Sequence, residues 1–184
     1  KRRPMSLTAI ISASREIFTH RIAFGYTLIS GVVFAPFLAY ISGVQQIFQF
    51  QYGLGTYFPL AFGSLALVIA IASFINGRVV MKIGMFKLVK YSLIITATAS
   101  VLFCVWADSY AGHPPLVSLF IYLTIMMFFT GILFGNLNAM AMEPLGHIAG
   151  IGAAIVGCVS TLISIPAAVI IGNAYSGNIM PLIY

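Results

Sequence analysis

The side chains able to move protons, bind a metal or attack a bond are few and scattered: Glu16, Asp108 and Glu143, His20, His113 and His147, Cys104 and Cys158. No H-E-x-x-H, no G-x-S-x-G and no phosphate-binding loop occurs anywhere in the chain. The histidines fall at the edges of apolar runs, and a site that joined all three would need residues from both sides of a membrane. Each therefore reads as an interfacial residue. Cys104 and Cys158 lie within apolar runs with nothing ligand-like beside them, which makes them small apolar fillers rather than a disulfide or a metal site. Neither an enzyme, a metal site nor a cofactor is expected.

The elements that would position any functional group are membrane helices. Of the 184 residues, 61% are hydrophobic and 7% charged, which leaves too little polar surface to clothe a water-soluble globule of this size. Runs of about 20 apolar residues, the length that crosses a hydrocarbon core of roughly 30 Å, occur at 22–43, 58–76, 88–106, 116–140 and 148–172. A sixth apolar run opens at "NIMPLIY", and the chain, which starts at Lys1 rather than Met, reads as an excerpt. The expected fold class is an all-α membrane protein with five transmembrane helices and the start of a sixth. Residues 1–21 are the end of a linker with an interfacial helix, and 22–184 a partial transmembrane half.

Charge sets the expected orientation. Lys1, Arg2, Arg3, Arg15 and Arg21 precede the first run, and Arg78, Lys82, Lys87 and Lys90 lie in or near "NGRVVMKIGMFKLVKY", residues 76–91. Lys and Arg near helix ends collect on the cytoplasmic side. The N-terminus and the connections near 77–87 and 141–147 are therefore expected inside, and those near 45–57 and 107–115 outside. The net charge of +6 is met by anionic headgroups of the inner leaflet and calls for no nucleic-acid partner. In 4–18, Leu7, Ile10, Ile11, Ile17 and Phe18 share helical spacing, the pattern of an interfacial amphipathic helix.

Small residues mark where helices are expected to meet. They recur three or four apart at Gly63, Ala66, Ala70, Ser73 and Gly77, and again at Gly146, Gly150, Ala153, Gly157, Ser160 and Ser164. Pro36 and Pro166 fall within runs, where each removes a backbone donor and can bend or break the helix. Pro144 is suited to a first helical turn, and Glu143 before it to a helix N-terminus. Asn136 and Asn138 suit interhelical hydrogen bonding or a gate better than substrate contact.

The run "NLNAMAMEPLGHIAGIGAAIVG", residues 136–157, resembles the tenth-to-eleventh helix region of Bcr/CflA-type drug-resistance transporters of the major facilitator superfamily. Its Glu-Pro-x-Gly-x-x-Ala-Gly core is the most specific part. Residues 51–84 are similar to the seventh loop and eighth helix of that family, ending in its Gly-rich cytoplasmic loop motif. Gly77 and Gly84 stand at the motif glycines and Lys82 at a basic position between them. Met81 stands where the motif has an acidic residue, and Met85 and Phe86 where it has basic ones, so a cytoplasmic lock made through that carboxylate should be weaker or steric.

The resemblance implies helices seven to eleven and the start of twelve of a twelve-helix, proton-coupled antiporter in a bacterial inner membrane. Such a transporter exports small amphipathic compounds by rocking two halves about a central site. With no acid inside these spans, the coupling carboxylate would belong to the missing N-terminal half. What this half offers is a substrate wall of Tyr26, Ser30, Phe34 and Phe37 on helix seven and Tyr122, Met126 and Phe129 on helix ten, with Glu143, Gly146 and Gly150 joining Gly77, Lys82 and Gly84 as gating positions. An ion channel and a non-transporting membrane subunit are the alternatives.

Overall fold

The computed structural model describes residues 7–174, 177 and 179–183; Lys1, Arg2, Arg3 and parts of the last apolar run lie outside the described residues. Those described are all-α, with no strand. This is what a bilayer demands, because a backbone in hydrocarbon has to satisfy its own N–H and C=O groups.

A short helix, α1 (Leu7–Thr19), precedes α2 (Arg21–Gln45), which continues as a π-helical turn through Gln46–Gln51. Next come α3 (Phe58–Ile83), α4 (Met85–Asp108) and α5 (Leu116–Met142). A 3₁₀ turn, Glu143–Ile148, leads into α6 (Ala149–Asn173), and α7 (Met180–Ile183) is one turn long. Helicity runs almost unbroken from Leu116 to Asn173, 58 residues, a length of roughly 87 Å if straight and far beyond one bilayer. Leu145, with φ −106° and ψ 18°, breaks it into two spans.

Side-chain contacts fix the directions of the helices. Ser160 Oγ donates to Thr27 O (3.1 Å) and Ser164 Oγ to Gly31 O (2.6 Å), so α2 and α6 rise together, turn by turn. Phe34 of α2 stacks on Phe134 of α5 at 4.9 Å, whereas Phe37 and Tyr40, further along, meet Met126 and Tyr122; α2 and α5 are antiparallel. Ile69 and Asn76 of α3 meet Gly131 and Asn136, a parallel pair, and Phe103 of α4 meets Tyr122 while Val89 meets Leu137, an antiparallel one. The five long helices therefore alternate in direction, with α5 packed against α2, α3 and α4.

Each end of the bundle is built differently. At one end Tyr52 Oη donates to Pro114 O (2.6 Å), Gln51 Nε2 lies 3.3 Å from Gly112 O, and Ile179 N donates to Gly112 O (3.2 Å). The connections expected outside thus close on one another. At the other end lie Arg15, Arg21, Arg78, Lys82, Lys87 and Lys90, together with the 143–148 turn.

Several boundaries differ from those expected. The connection near 77–87 shrinks to Gly84: α3 runs on to Ile83 because Arg78 and Lys82 extend their stems from an exposed helix end, Arg78 over the Phe74 ring at 4.4 Å. Gly84, at φ 80° and ψ 154°, makes the turn that a side chain would resist. The expected 45–57 loop is likewise mostly helical. Pro36 and Pro166 break neither α2 nor α6.

Among the described residues the stripe from Gly63 to Gly77 packs against no helix except at its edges. Gly63, Ala66, Ala70, Ser73 and Gly77 are all exposed, and a Cβ at Gly63 or Gly77 would meet nothing within 4 Å. Instead α3 turns Leu65, Ala72 and Asn76 inward. On α6 only Ser160 and Ser164 of the expected stripe are buried. Gly146, Gly150, Ala153 and Gly157 are exposed, and the inward line is Gly152, Val156, Ser160 and Ser164. Residue size was read correctly, but size alone does not give the rotation of a helix.

Helix α1 is no loose tail. Ala13 and Ile17 are buried, Ile17 at 0% exposure among Ala23, Ala141, Leu145 and Val156, while Leu7, Ile11 and Phe18 face outward. The apolar face read from sequence thus divides, Ile17 facing protein and the rest facing away.

Candidate functional site

The groups that the sequence singled out on α2 and α5 do not form one wall. Phe37, Tyr122 and Met126 come together around a small cavity between the two helices, about 30 Å³ in volume. Tyr122 is held from behind by α4: its ring lies on Phe103 at 4.2 Å and 6° from parallel, and its hydroxyl lies 3.1 Å from Ser100 Oγ. Ser100 Oγ is also 3.8 Å from Met126 Sδ. One α4 serine thereby orients two α5 side chains toward α2.

The remaining four residues stand apart. Phe34 stacks on Phe134 (4.9 Å) and meets Phe37 at a tilt (5.0 Å), beside the cavity rather than on it. Ser30 is buried, with its Oγ finding no partner among the described residues. Tyr26 packs between the Ala141/Leu145 and Leu137/Met140 clusters near the 143–148 turn. Phe129 lies on the other side of α5, against Ala72, Leu88 and Ile132 in the seam with α3 and α4, and meets Phe128 edge-on at 5.3 Å. Helical spacing placed Phe129 beside Met126, but α5 is packed on three sides, so its aromatic residues are shared among three seams.

A larger groove, about 440 Å³, opens on the other flank of α2, between it and α6 at the end where α7 starts. Leu38 and Ser42 of α2, with Gln46 of the π-helical turn that continues it, line it together with Ile165, Val169 and Asn173 of α6. None of the seven wall residues lines it. Hydropathy hid this groove because both walls read as ordinary span.

Asn136 makes the interhelical bond its position suggested, its Nδ2 donating to Asn76 Oδ1 of α3 at 2.6 Å and to Ile132 O at 2.7 Å. Asn138 instead donates to Phe134 O of its own helix, at 2.9 Å. Asn76 was missed as the partner because it sits at the edge of the basic run.

The expected gating positions lie at the basic end. Gly77 is within α3, Lys82 in its last turn and Gly84 at the turn itself. Glu143 and Pro144 start the 3₁₀ turn rather than α6, whose first residue is Ala149, so the α6 dipole is not what holds Glu143. Gly146 and Gly150 are exposed, and a Cβ at either would meet nothing within 4 Å among the described residues. Beside them His147 Nε2 lies 2.9 Å from Glu16 Oε1, a bond between α1 and the turn that neither residue announced in sequence. Among the described residues no group of His, Cys, Asp and Glu is placed to hold a metal.

An alternating bundle of apolar helices, crossed by an asparagine pair and with its basic residues at one end, is the form of an integral membrane protein. Over 164 residues, 89% of its length, the chain is 30% identical to an uncharacterized MFS-type transporter of Bacillus subtilis (strain 168), YdgK. The chain spans about 40% of that relative's length. The match supports membership of the major facilitator superfamily and leaves the Bcr/CflA subtype open. No family model matches the chain, and no solved structure matches it significantly.

Proposed function

We propose that this chain is part of a secondary active transporter of the Bcr/CflA type, a proton-coupled antiporter of a bacterial inner membrane that exports small amphipathic compounds by alternating access. The observation that carries the transporter reading is the 30% identity to an MFS-type transporter across nearly the whole chain. The bundle supports it physically, since α2 and α5 meet through aromatic and Met side chains with few polar groups, a surface that suits chemically varied cargo. In this reading Phe37, Tyr122 and Met126 touch cargo, with Tyr26, Ser30, Phe34 and Phe129 shaping the helices behind them.

In this reading the 143–148 turn and the N-terminus lie on the cytoplasmic side, a reading supported by the crowding of the nine basic residues near those helix ends. There Gly77, Lys82, Gly84, Glu143, Gly146 and Gly150 form the surface that closes against the other half of the transporter. The proton is carried by a carboxylate of that other half, because the described spans hold none at depth.

Alkylation of a single cysteine at Met126, in the full-length protein with Cys104 and Cys158 replaced, tests the cargo wall. Ethidium should slow modification of Met126→Cys and leave Leu67→Cys, on the exposed face of α3, unaffected. Equal rates with and without ethidium at both positions would remove α5 from the cargo path.

A further inference from the structure

Helix α1 has more apolar surface than the bundle covers. Ala13 and Ile17 are buried, Ile17 among Ala23, Ala141, Leu145 and Val156 at the basic end. With about 100° between successive residues, Leu7, Ile11 and Phe18 fall about 80–120° around the helix from Ile17, in one row along its flank. They are 80%, 67% and 50% exposed. Glu16 falls about 100° the other way, on the opposite flank. There its Oε1 is 2.9 Å from His147 Nε2. Ser12, Arg15 and Thr19, all exposed, form the side turned away from the bundle.

The apolar row does not stop with α1. Beyond the bend at His20, where φ is −84° and ψ 104°, Ile22 continues it at 55% exposure in the first turn of α2, the start of an apolar span. The Phe18 and Phe24 rings meet across the bend at 5.5 Å. A helix beside the mouth of a span, with one side on protein, the adjacent side apolar and the outer side polar, has the cross-section of a helix lying in a bilayer interface.

The charges at the border of the row select the lipid. Arg15 stands one turn after Ile11, and Arg21 immediately precedes Ile22; both are exposed. The acid of α1, Glu16, is on the far flank and engaged by His147, and Glu143 belongs to the 143–148 turn. In sequence Lys1, Arg2 and Arg3 add further positive charge ahead of the helix. Guanidinium groups pair with phosphate oxygens through two parallel hydrogen bonds.

We propose that this flank of α1 docks on anionic phospholipids of the leaflet at the basic end, with Leu7, Ile11 and Phe18 among the acyl chains and Arg15 and Arg21 on headgroup phosphates. The proposal needs the chain to sit in a bilayer and does not rest on transport, its cargo or its direction.

The full-length protein in phosphatidylcholine nanodiscs tests it, with Cys104 and Cys158 replaced and an NBD fluorophore on Ile11→Cys. A minor share of the lipid carries a quenching nitroxide on its acyl chain, either as phosphatidylglycerol or as phosphatidylcholine. The anionic quencher should quench the Ile11→Cys probe about threefold more than the zwitterionic one. That preference should vanish in Arg15→Gln with Arg21→Gln, two exposed positions whose change leaves the buried contacts of Ile17 in place. A probe on Ser12→Cys, on the outer side, is the control and should be quenched little by either lipid. Equal quenching of the Ile11→Cys probe by the two lipids, or a preference that survives the double arginine change, would overturn the proposal. So would the lack of quenching by either lipid, which would mark the row as covered by protein, either another part of the full-length chain or a second copy.

Discussion

Asn136 of α5 and Asn76 of α3 are joined by a 2.6 Å hydrogen bond at the basic end of the bundle, where their helices run parallel. Each interrupts an apolar sequence, and each is tolerated there because the other satisfies it. Such bonds within a membrane contribute on the order of 0.6–2 kcal/mol. Asn136→Leu should therefore cost about 1 kcal/mol in unfolding of the full-length protein in mixed micelles, and Asn76→Leu somewhat less, because Asn136 keeps its bond to Ile132 O. The double variant should cost less than the sum of the two. Strict additivity would mean that the pair contributes nothing as a pair.

A methyl group at Gly31 would lie 2.7 Å from Ile163 Cβ and 3.0 Å from Ser160 O, whereas a Cβ at Gly150 would meet nothing within 4 Å. Gly31→Ala should thus force α2 and α6 apart and destabilise the bundle by about 1–3 kcal/mol. Gly150→Leu should leave the melting temperature alone yet reduce turnover at normal membrane abundance, if the other half closes on that surface. Normal turnover in Gly150→Leu would make it a tolerant lipid-facing position. A full loss in Glu143→Gln at intact protein level would mark Glu143 as more than a turn residue.

Two contacts hold α1 to the turn between α5 and α6, and their strengths differ. The Glu16–His147 bond is exposed, with the side chains 38% and 60% accessible, and is expected to contribute at most about 1 kcal/mol. Ile17 is fully buried, and Ile17→Ala should cost about 2–5 kcal/mol. Trypsin cleavage at Arg15 and Arg21 in inside-out vesicles reports the release of α1. Faster cleavage in Ile17→Ala, with little change in Glu16→Gln, is the expected order. The reverse would make the polar contact the main tether.

The existence and number of the long helices could be read from sequence because hydropathy and helix length share one physical scale, the thickness of the hydrocarbon core. Burial could not. Phe129 and Met126 are three residues apart, yet one faces α3 and α4 and the other α2, because on a helix packed on three sides apolar character gives no direction. For the same reason Tyr40 looked like any interior aromatic residue. Only the lack of a partner for its hydroxyl among the described residues sets it apart, and that depends on neighbours drawn from several helices.

Orientation is tested by an impermeant thiol reagent on intact cells, with Cys104 and Cys158 replaced. Ser109, beside the loop that Tyr52 closes, should be labelled as Ser109→Cys, and Lys87→Cys should be labelled only after the membrane is opened. Labelling in the opposite order would invert the assignment of both ends.

The central claim is exchange of cargo for protons, and it is tested most directly in proteoliposomes that hold the full-length protein and a trapped pH indicator. With a proton gradient imposed, ethidium flux should saturate with concentration, collapse when the gradient is dissipated, and itself release protons in the opposite direction. Flux that rises without saturation and ignores the gradient, or an ion current that needs no cargo, would contradict the antiporter account and favour a channel.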